Sequence, residues 1–285
     1  MTIFEGTVGS GIFNFLDVTG SNITIENLTI QNYDNAGAID IISGSASDST
    51  FVTISNCFFY QNETFTSFDA NPHGGAILVS TGGGNLPSVV SINNCQFGDN
   101  LAEQGNGGGA IYADGRSRVH IYGSRFTCNN SRAILTTYEG GAIMFNTAYG
   151  IIDSCYISGS PVFNQQGGGF RAINSTARLN IGILNTIFTD NTGRQGAAFY
   201  IEDNYDCNVV NVLVFANTVT GGFGDGGSIS CDGAVNMTIM NSTIADNLST
   251  HASDGGGLAA DGATSFTVQN SIIWNNQVNN IRSAA

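Results

Sequence analysis

The sequence predicts a right-handed parallel β-helix: a solenoid of about nine coils of about 30 residues, with three short strands per coil, forming one domain over residues 1–285. Three observations predict it. A glycine pair followed by an apolar residue recurs along the chain, an apolar residue with Asn three places later recurs out of step with it, and a stretch of apolar–polar alternation precedes the second pattern. All three keep one order and one period.

The glycine element reads Gly74-Gly75-Ala76-Ile77, Gly108-Gly109-Ala110-Ile111, Gly140-Gly141-Ala142-Ile143 and Gly168-Gly169-Phe170. It continues as Gly196-Ala197-Ala198-Phe199, Gly226-Gly227-Ser228-Ile229 and Gly256-Gly257-Leu258, with Ala36-Gly37-Ala38-Ile39 as a first, looser copy. The steps between apolar anchors run from 38 residues (Ile39 to Ile77) to 27 (Ile143 to Phe170), and the last three are 29, 30 and 29. A glycine pair suits a corner where a Cβ would not fit.

The second element comprises Phe59/Asn62, Phe97/Asn100, Phe126/Asn129, Phe188/Asn191, Val214/Asn217, Ile244/Asn247 and Ile273/Asn276. Ile157 holds the place in the copy where Ser160 replaces Asn, and Ile30 begins the series. The apolar column is expected to stack inward as a ladder. The Asn column is expected at a turn, in left-handed backbone, each amide bonding its copy in the next coil.

The third element, as in Val52-Thr53-Ile54, Val90-Ser91-Ile92, Val119-His120-Ile121 and Phe266-Thr267-Val268, puts apolar side chains on one face of a strand. A coil of this size cannot bury its inner face alone. Stacking at about 4.8 Å joins the inner faces into one core about 40 Å long for nine coils. The usual sense of parallel crossovers makes the winding right-handed.

Composition bounds the function. Hydrophobic residues at 41% suffice for a core, and charged residues at 11% leave a surface of Asn, Ser, Thr and Gly. A net charge of −14, with eight Arg and no Lys, excludes nucleic acid and anionic membrane as partners. No apolar run approaches the ~20 residues needed for direct membrane insertion. Glycans, surface proteins and cations remain. Without a C-x-x-C pair, the six cysteines suggest neither zinc nor redox work. Cys57 and Cys95 hold one place in successive coils, with Cys155 in that column after Ser124. Buried thiols and an inter-coil disulfide are both open readings.

N-x-S/T acceptors, candidates for glycosylation on a eukaryotic secretory route, fall at Asn22, Asn27, Asn62, Asn129, Asn174, Asn236, Asn241 and Asn247. A candidate chemical site lies three places after each glycine-motif anchor, in the column Ser80, Asp114, Asn146, Ile173, Glu202, Asp232 and Asp261. Glu202, Asp232 and Asp261 fall in consecutive coils, so their carboxylates are expected about 5 and 10 Å apart. Glycosidases use carboxyl pairs at about 5–5.5 Å or 6.5–9.5 Å. Asp225 and Asp254, just before the glycines, extend the strip, and with the other three could hold Ca²⁺. Against both stands ordinary turn chemistry, as at Asp114-Gly115, Asp232-Gly233 and Asp261-Gly262. No other cofactor is expected. Arg116, Arg118, Arg125, Arg132, Arg171, Arg178 and Arg194 cluster in the middle coils, with no evident acid–base pair.

The Gly-Gly-Ala-Ile and Phe-x-x-Asn pair resembles the repeat of chlamydial polymorphic outer membrane proteins and of bacterial parallel β-helix repeat proteins. The segments from Thr19 to Ile30 and from Asn270 to Trp274 look like first and late coils of such proteins. The resemblance covers nearly the whole chain and implies secretion, display at the cell surface and adhesion. The expected function is therefore an extracellular structural or adhesive rod. It would bind a glycan or a surface protein, or associate with itself end to end. The alternative is a polysaccharide lyase or glycoside hydrolase working through the acidic strip.

Overall fold

A computed structural model describes residues 2–6, 16–19, 22–34, 37–43, 49–65, 73–81, 86–103, 107–132, 139–162, 166–221, 226–251 and 255–284. Each sequence element becomes a strand, and each recurs in its own parallel sheet. The Phe-x-x-Asn element builds a phenylalanine sheet of ten strands, from Thr2–Glu5 to Ile272–Trp274. The residues after the glycines build an anchor sheet of ten strands, from Leu16–Thr19 to Ile281–Ala284. The alternating element builds a sheet of nine strands, from Asn22–Glu26 to Ser265–Gln269. In every sheet the neighbour of a strand is its copy one coil away, so the chain is a parallel β-solenoid of about nine coils. The described residues contain no helix, and hence none able to span a membrane.

Three small three-stranded sheets add to the expected three strands per coil. One joins Glu63–Phe65, Leu101–Glu103 and Asn130–Arg132, between the ladder Asn and the glycines. A second joins His73–Gly74, Gly107–Gly108 and Glu139–Gly140. Thr192–Gly193, Thr218–Val219 and Leu248–Ser249 form the third.

The core is one continuous cluster running along the axis. The inward column Ile30, Phe59, Phe97, Phe126, Ile157, Phe188, Val214 and Ile244 is fully buried. The rings of Phe59, Phe97 and Phe126 stack with centroids 4.8 and 4.6 Å apart and nearly parallel planes. That spacing is the inter-strand distance, so the backbone imposes the stack.

The Asn ladder forms as expected over most of its length. Nδ2 of Asn62, Asn100, Asn191, Asn217 and Asn247 donates to Oδ1 of the next coil's Asn at 2.8–3.0 Å. Each amide also donates to the carbonyl of the inward residue one coil back, as Asn100 does to Phe59. Each Oδ1 accepts a backbone N–H as well, so complete burial leaves no polar atom unpaired. Ser160 interrupts the ladder, and its backbone N–H alone donates to Asn191 Oδ1 at 3.2 Å.

Two details correct the sequence reading. The first is the last rung. Asn276 accepts from Asn247 as a ladder residue should, but its own partner is not a copy in a further coil. Its Nδ2 and its backbone N–H both donate to Oδ1 of Asn280, four residues along the chain, at 3.1 Å. Nδ2 also keeps the usual bond to the inward residue one coil back, the Ile244 carbonyl, at 2.9 Å. Asn280 thus takes the place of the next coil's Asn, and Asn276 stays buried and satisfied through a local loop rather than a repeat.

The second correction is the site of the left-handed backbone. The left-handed residue is not the ladder Asn but the one before it: Gln61, Asp99, Cys128, Asp190, Ala216, Asp246 and Asn275 all have positive φ. A left-handed residue there turns the corner and leaves the next side chain pointing between coils. Another left-handed column, with Asn27, Asn56, Asn94, Asn185, Asn211, Asn241 and Asn270, separates the alternating and phenylalanine strands. The glycine pair behaves as expected: a Cβ at Gly74 would lie 2.0 Å from the Ile77 carbonyl oxygen, and one at Gly75 2.0 Å from that of Gly109.

Candidate functional site

The acidic column sits at the end of the anchor strands, and its register is the one the sequence implies. Asp114 pairs with Asn146, Asn146 with Ile173, Ile173 with Glu202, Glu202 with Asp232 and Asp232 with Asp261. Glu202, Asp232 and Asp261 are each partly exposed. Asp225 and Asp254 lie outside the described residues. Among the described residues no three His, Cys, Asp or Glu side chains are grouped to hold a metal ion.

Beside this column lies a second one that sequence reasoning missed. The middle residue of each anchor strand points away from the core, yet Leu78, Tyr112, Met144, Arg171, Tyr200 and Ser230 are all buried. Leu78, Tyr112 and Met144 form a small apolar cluster of their own, with Ile173 packed on it. The signal was present in the sequence. Ile77-Leu78-Val79, Ile143-Met144-Phe145 and Phe199-Tyr200-Ile201 are unbroken apolar runs, the pattern of a strand covered on both faces.

This column gives the strip its chemistry. Arg171, 1% exposed, donates through Nη2 to Glu202 Oε2 at 2.7 Å, and its guanidinium lies 5.4 Å from the centre of the Tyr200 ring. The Tyr200 hydroxyl donates to Asp232 Oδ2 at 3.5 Å, while Asp232 Oδ1 accepts the Gly233 N–H at 2.6 Å. Burial, with smaller contributions from Asp261 and Asp203, holds the Asp232 carboxyl above the usual range. Burial first, then Glu202 and Asp232, pushes the Tyr200 phenol far up, so it stays a donor. Gly115, Gly233 and Gly262, which follow Asp114, Asp232 and Asp261, all have positive φ, as turn glycines do.

Further along the column, Ser80, Thr81, Asp114, Gly115, Asn146 and Thr147 line an open groove of about 390 Å³. Burial raises the Asp114 carboxyl, although the Ser80 side chain and the Thr81 backbone both bond it. Asn146 Nδ2 donates to the Tyr112 hydroxyl at 2.9 Å. Of the remaining arginines, Arg132 pairs with Glu103 at 3.5 Å and Arg178 with Asp206 at 2.9 Å, each joining neighbouring coils.

The phenylalanine sheet carries a different surface on its outer face. Its two outward columns include Phe58, Tyr60, Tyr156, Ile187, Leu213, Phe215, Ile272 and Trp274, all half-buried or exposed. Ile272 is 61% and Trp274 69% exposed. The Tyr60 ring packs over Gly98, and the Arg125 guanidinium lies 4.2 Å from the centre of the Tyr156 ring.

The sequons divide. Asn62, Asn129 and Asn247 are ladder residues, and Asn174 donates to the carbonyls of Ala177 and Asn204; all four are buried. A glycan on these four is incompatible with the fold, which corrects the expectation for them. Asn22, Asn27 and Asn241 are exposed, and Asn236 is half-buried with its amide on Asp206.

A family model described as a right-handed β-helix region matches residues 46–244. The chain belongs to the right-handed β-helix family. The match covers most of the chain, from the third phenylalanine-sheet strand through the ninth, and it fixes the hand of the β-helix. No curated protein and no solved structure shows significant similarity to this β-helix.

Proposed function

We propose that this β-helix is an extracellular adhesive rod that holds a neutral glycan along the outer face of its phenylalanine sheet. The observation that carries the reading is the set of outward side chains Phe58, Tyr60, Tyr156, Leu213, Phe215 and Trp274, spread over two columns of that sheet among Gln96, Thr127 and Thr243, on a chain where only 11% of all residues are charged. Rigid aromatic side chains give large contact area at small entropic cost, and neighbouring Asn, Ser and Thr supply hydrogen bonds suited to sugar hydroxyls. Resemblance to the polymorphic outer membrane proteins supports surface display. A glycan array tests the reading. Binding to neutral polymers that weakens with Tyr156→Ser and Phe215→Ser together supports it, and binding to no glycan opposes it.

The second reading, a carbohydrate-active enzyme, rests on Arg171 against Glu202 and Tyr200 against Asp232. Two carboxyls one coil apart, one of them biased towards its protonated form, suit acid–base chemistry on a glycosidic bond. Turnover of any polysaccharide by the wild type, abolished by Asp232→Asn, would support it. A screen without turnover removes it.

A further inference from the structure

The cysteines divide by position. Cys128 is exposed at a left-handed corner, Cys207 and Cys231 belong to different sheets, and Cys155 is two coils from Cys95 with Ser124 between. Only Cys57 and Cys95 face each other in adjacent coils: the Gln96 N–H donates to the Cys57 carbonyl at 2.9 Å, and the flanking strands pair Phe58 with Gln96. Their backbones are thus about 4.8 Å apart, inside the 4.4–6.8 Å that a disulfide spans between Cα atoms. Both side chains adopt the same direction. Cys57 Sγ lies 3.7 Å from the Ile25 carbonyl oxygen, and Cys95 Sγ lies 3.7 Å from that of Ile54. Ile54 is in the coil that carries Cys57 and Ile25 in the coil before it, so both sulfurs lean one coil back along parallel directions and lie side by side in adjacent coils. Both are free thiols, 1% exposed.

We propose that Cys57 and Cys95 are the site of an inter-coil disulfide, closed under oxidising conditions before the third and fourth coils finish stacking. The reaction needs an oxidant, and a small-molecule disulfide such as oxidised glutathione serves. The Cys57 thiolate attacks it, forming a mixed disulfide and releasing one glutathione. Cys95 then attacks the Cys57 sulfur, releasing the second, so two protein thiols and one oxidised glutathione yield one protein disulfide and two reduced glutathiones. The bond would close a loop of the chain that no other cross-link constrains, which stabilises mainly by restricting the unfolded state.

The test is to refold the whole chain in a glutathione redox buffer, count thiols under denaturing conditions and map linked peptides by mass spectrometry. The expected result is a fall from six titratable thiols to four, a Cys57–Cys95 peptide, and a melting midpoint about 5 °C or more above that of the reduced chain. The double variant Cys57→Ala, Cys95→Ala should fold and melt at the same temperature with and without oxidant. Six thiols after oxidation, or a linked peptide joining any other pair, overturns the proposal.

Discussion

At the scale of single residues, the Asn ladder concentrates the cost of error. Asn129 is fully buried; its amide bonds the carbonyls of Phe97 and Thr127, and its Oδ1 accepts from Asn100. Replacing it with Ala strands those partners, and each buried polar group left unpaired costs about 1–3 kcal/mol. Chemical denaturation of Asn129→Ala should show a loss of that size or more, whereas Asn22→Ala, at an exposed position, should cost far less. Sequon occupancy follows the same burial. Expressed through a eukaryotic secretory route, the chain should carry glycans only among Asn22, Asn27, Asn236 and Asn241, as glycopeptide mapping would show. Occupancy at Asn62, Asn129 or Asn247 in the folded protein would contradict the ladder.

At the scale of strands and sheets, most of the fold was legible because each element carries a period. Val90-Ser91-Ile92 alternates, and its strand buries alternate residues. Phe97 and Asn100 recur at the step of the coil, and they stack. The candidate site was legible only in part. The column Glu202, Asp232 and Asp261 follows from register, but Arg171 and Tyr200 do not. Their burial depends on what lies over the outer face of the anchor sheet, where the backbone of Gly167 sits against Arg171 and that of Gly196 against Tyr200, and a polar Arg171 gives no sign of that cover within its own strand. The left-handed corner was misplaced by one residue for a similar reason: Gln61, Asp99, Cys128 and Ala216 share a backbone state and no side-chain type. The partner of Asn276 was missed because Asn280 stands four residues away, off the period on which the ladder was read.

Two predictions belong to the anchor sheet. Arg171→Met removes one partner of a buried pair and leaves Glu202 uncompensated. Its cost should be about 3 kcal/mol, the lower end for such pairs, because the Glu202 side chain keeps 25% exposure. The second concerns pH. The folded Asp232 carboxyl has a raised pKa, so the folded state holds its proton more tightly than the unfolded chain. Stability is therefore lost as pH rises from the unfolded value near ~3.9 through the folded one. Asp232→Asn removes that loss and should melt above the wild type at pH 7. The difference should close below about pH 4. An equal difference at both pH values would contradict the assignment.

At the scale of the whole molecule, coils about 4.8 Å apart make a solenoid in which every outward column is a line of side chains along the surface. Exposed aromatic side chains lie on the outer face of the phenylalanine sheet, and acidic ones at the end of the anchor sheet. They lie on different faces, so a ligand on one need not touch the other, and the two functional readings separate cleanly by substitution. Trp274, the one tryptophan of the chain, reports on the aromatic face. Its emission should shift to shorter wavelength when a polymer covers that face, and titration of the wild type with neutral polysaccharides would show it.

The most direct measurement compares three proteins for affinity to the best glycan from an array: the wild type, the face variant Tyr156→Ser with Phe215→Ser, and the strip variant Asp232→Asn. Truncating an interface anchor costs more than about 1 kcal/mol, so the face variant should lose roughly tenfold or more in affinity while the strip variant binds as the wild type does. Unchanged binding by the face variant, with binding lost in the strip variant, would contradict the adhesive rod and move the function to the acidic column.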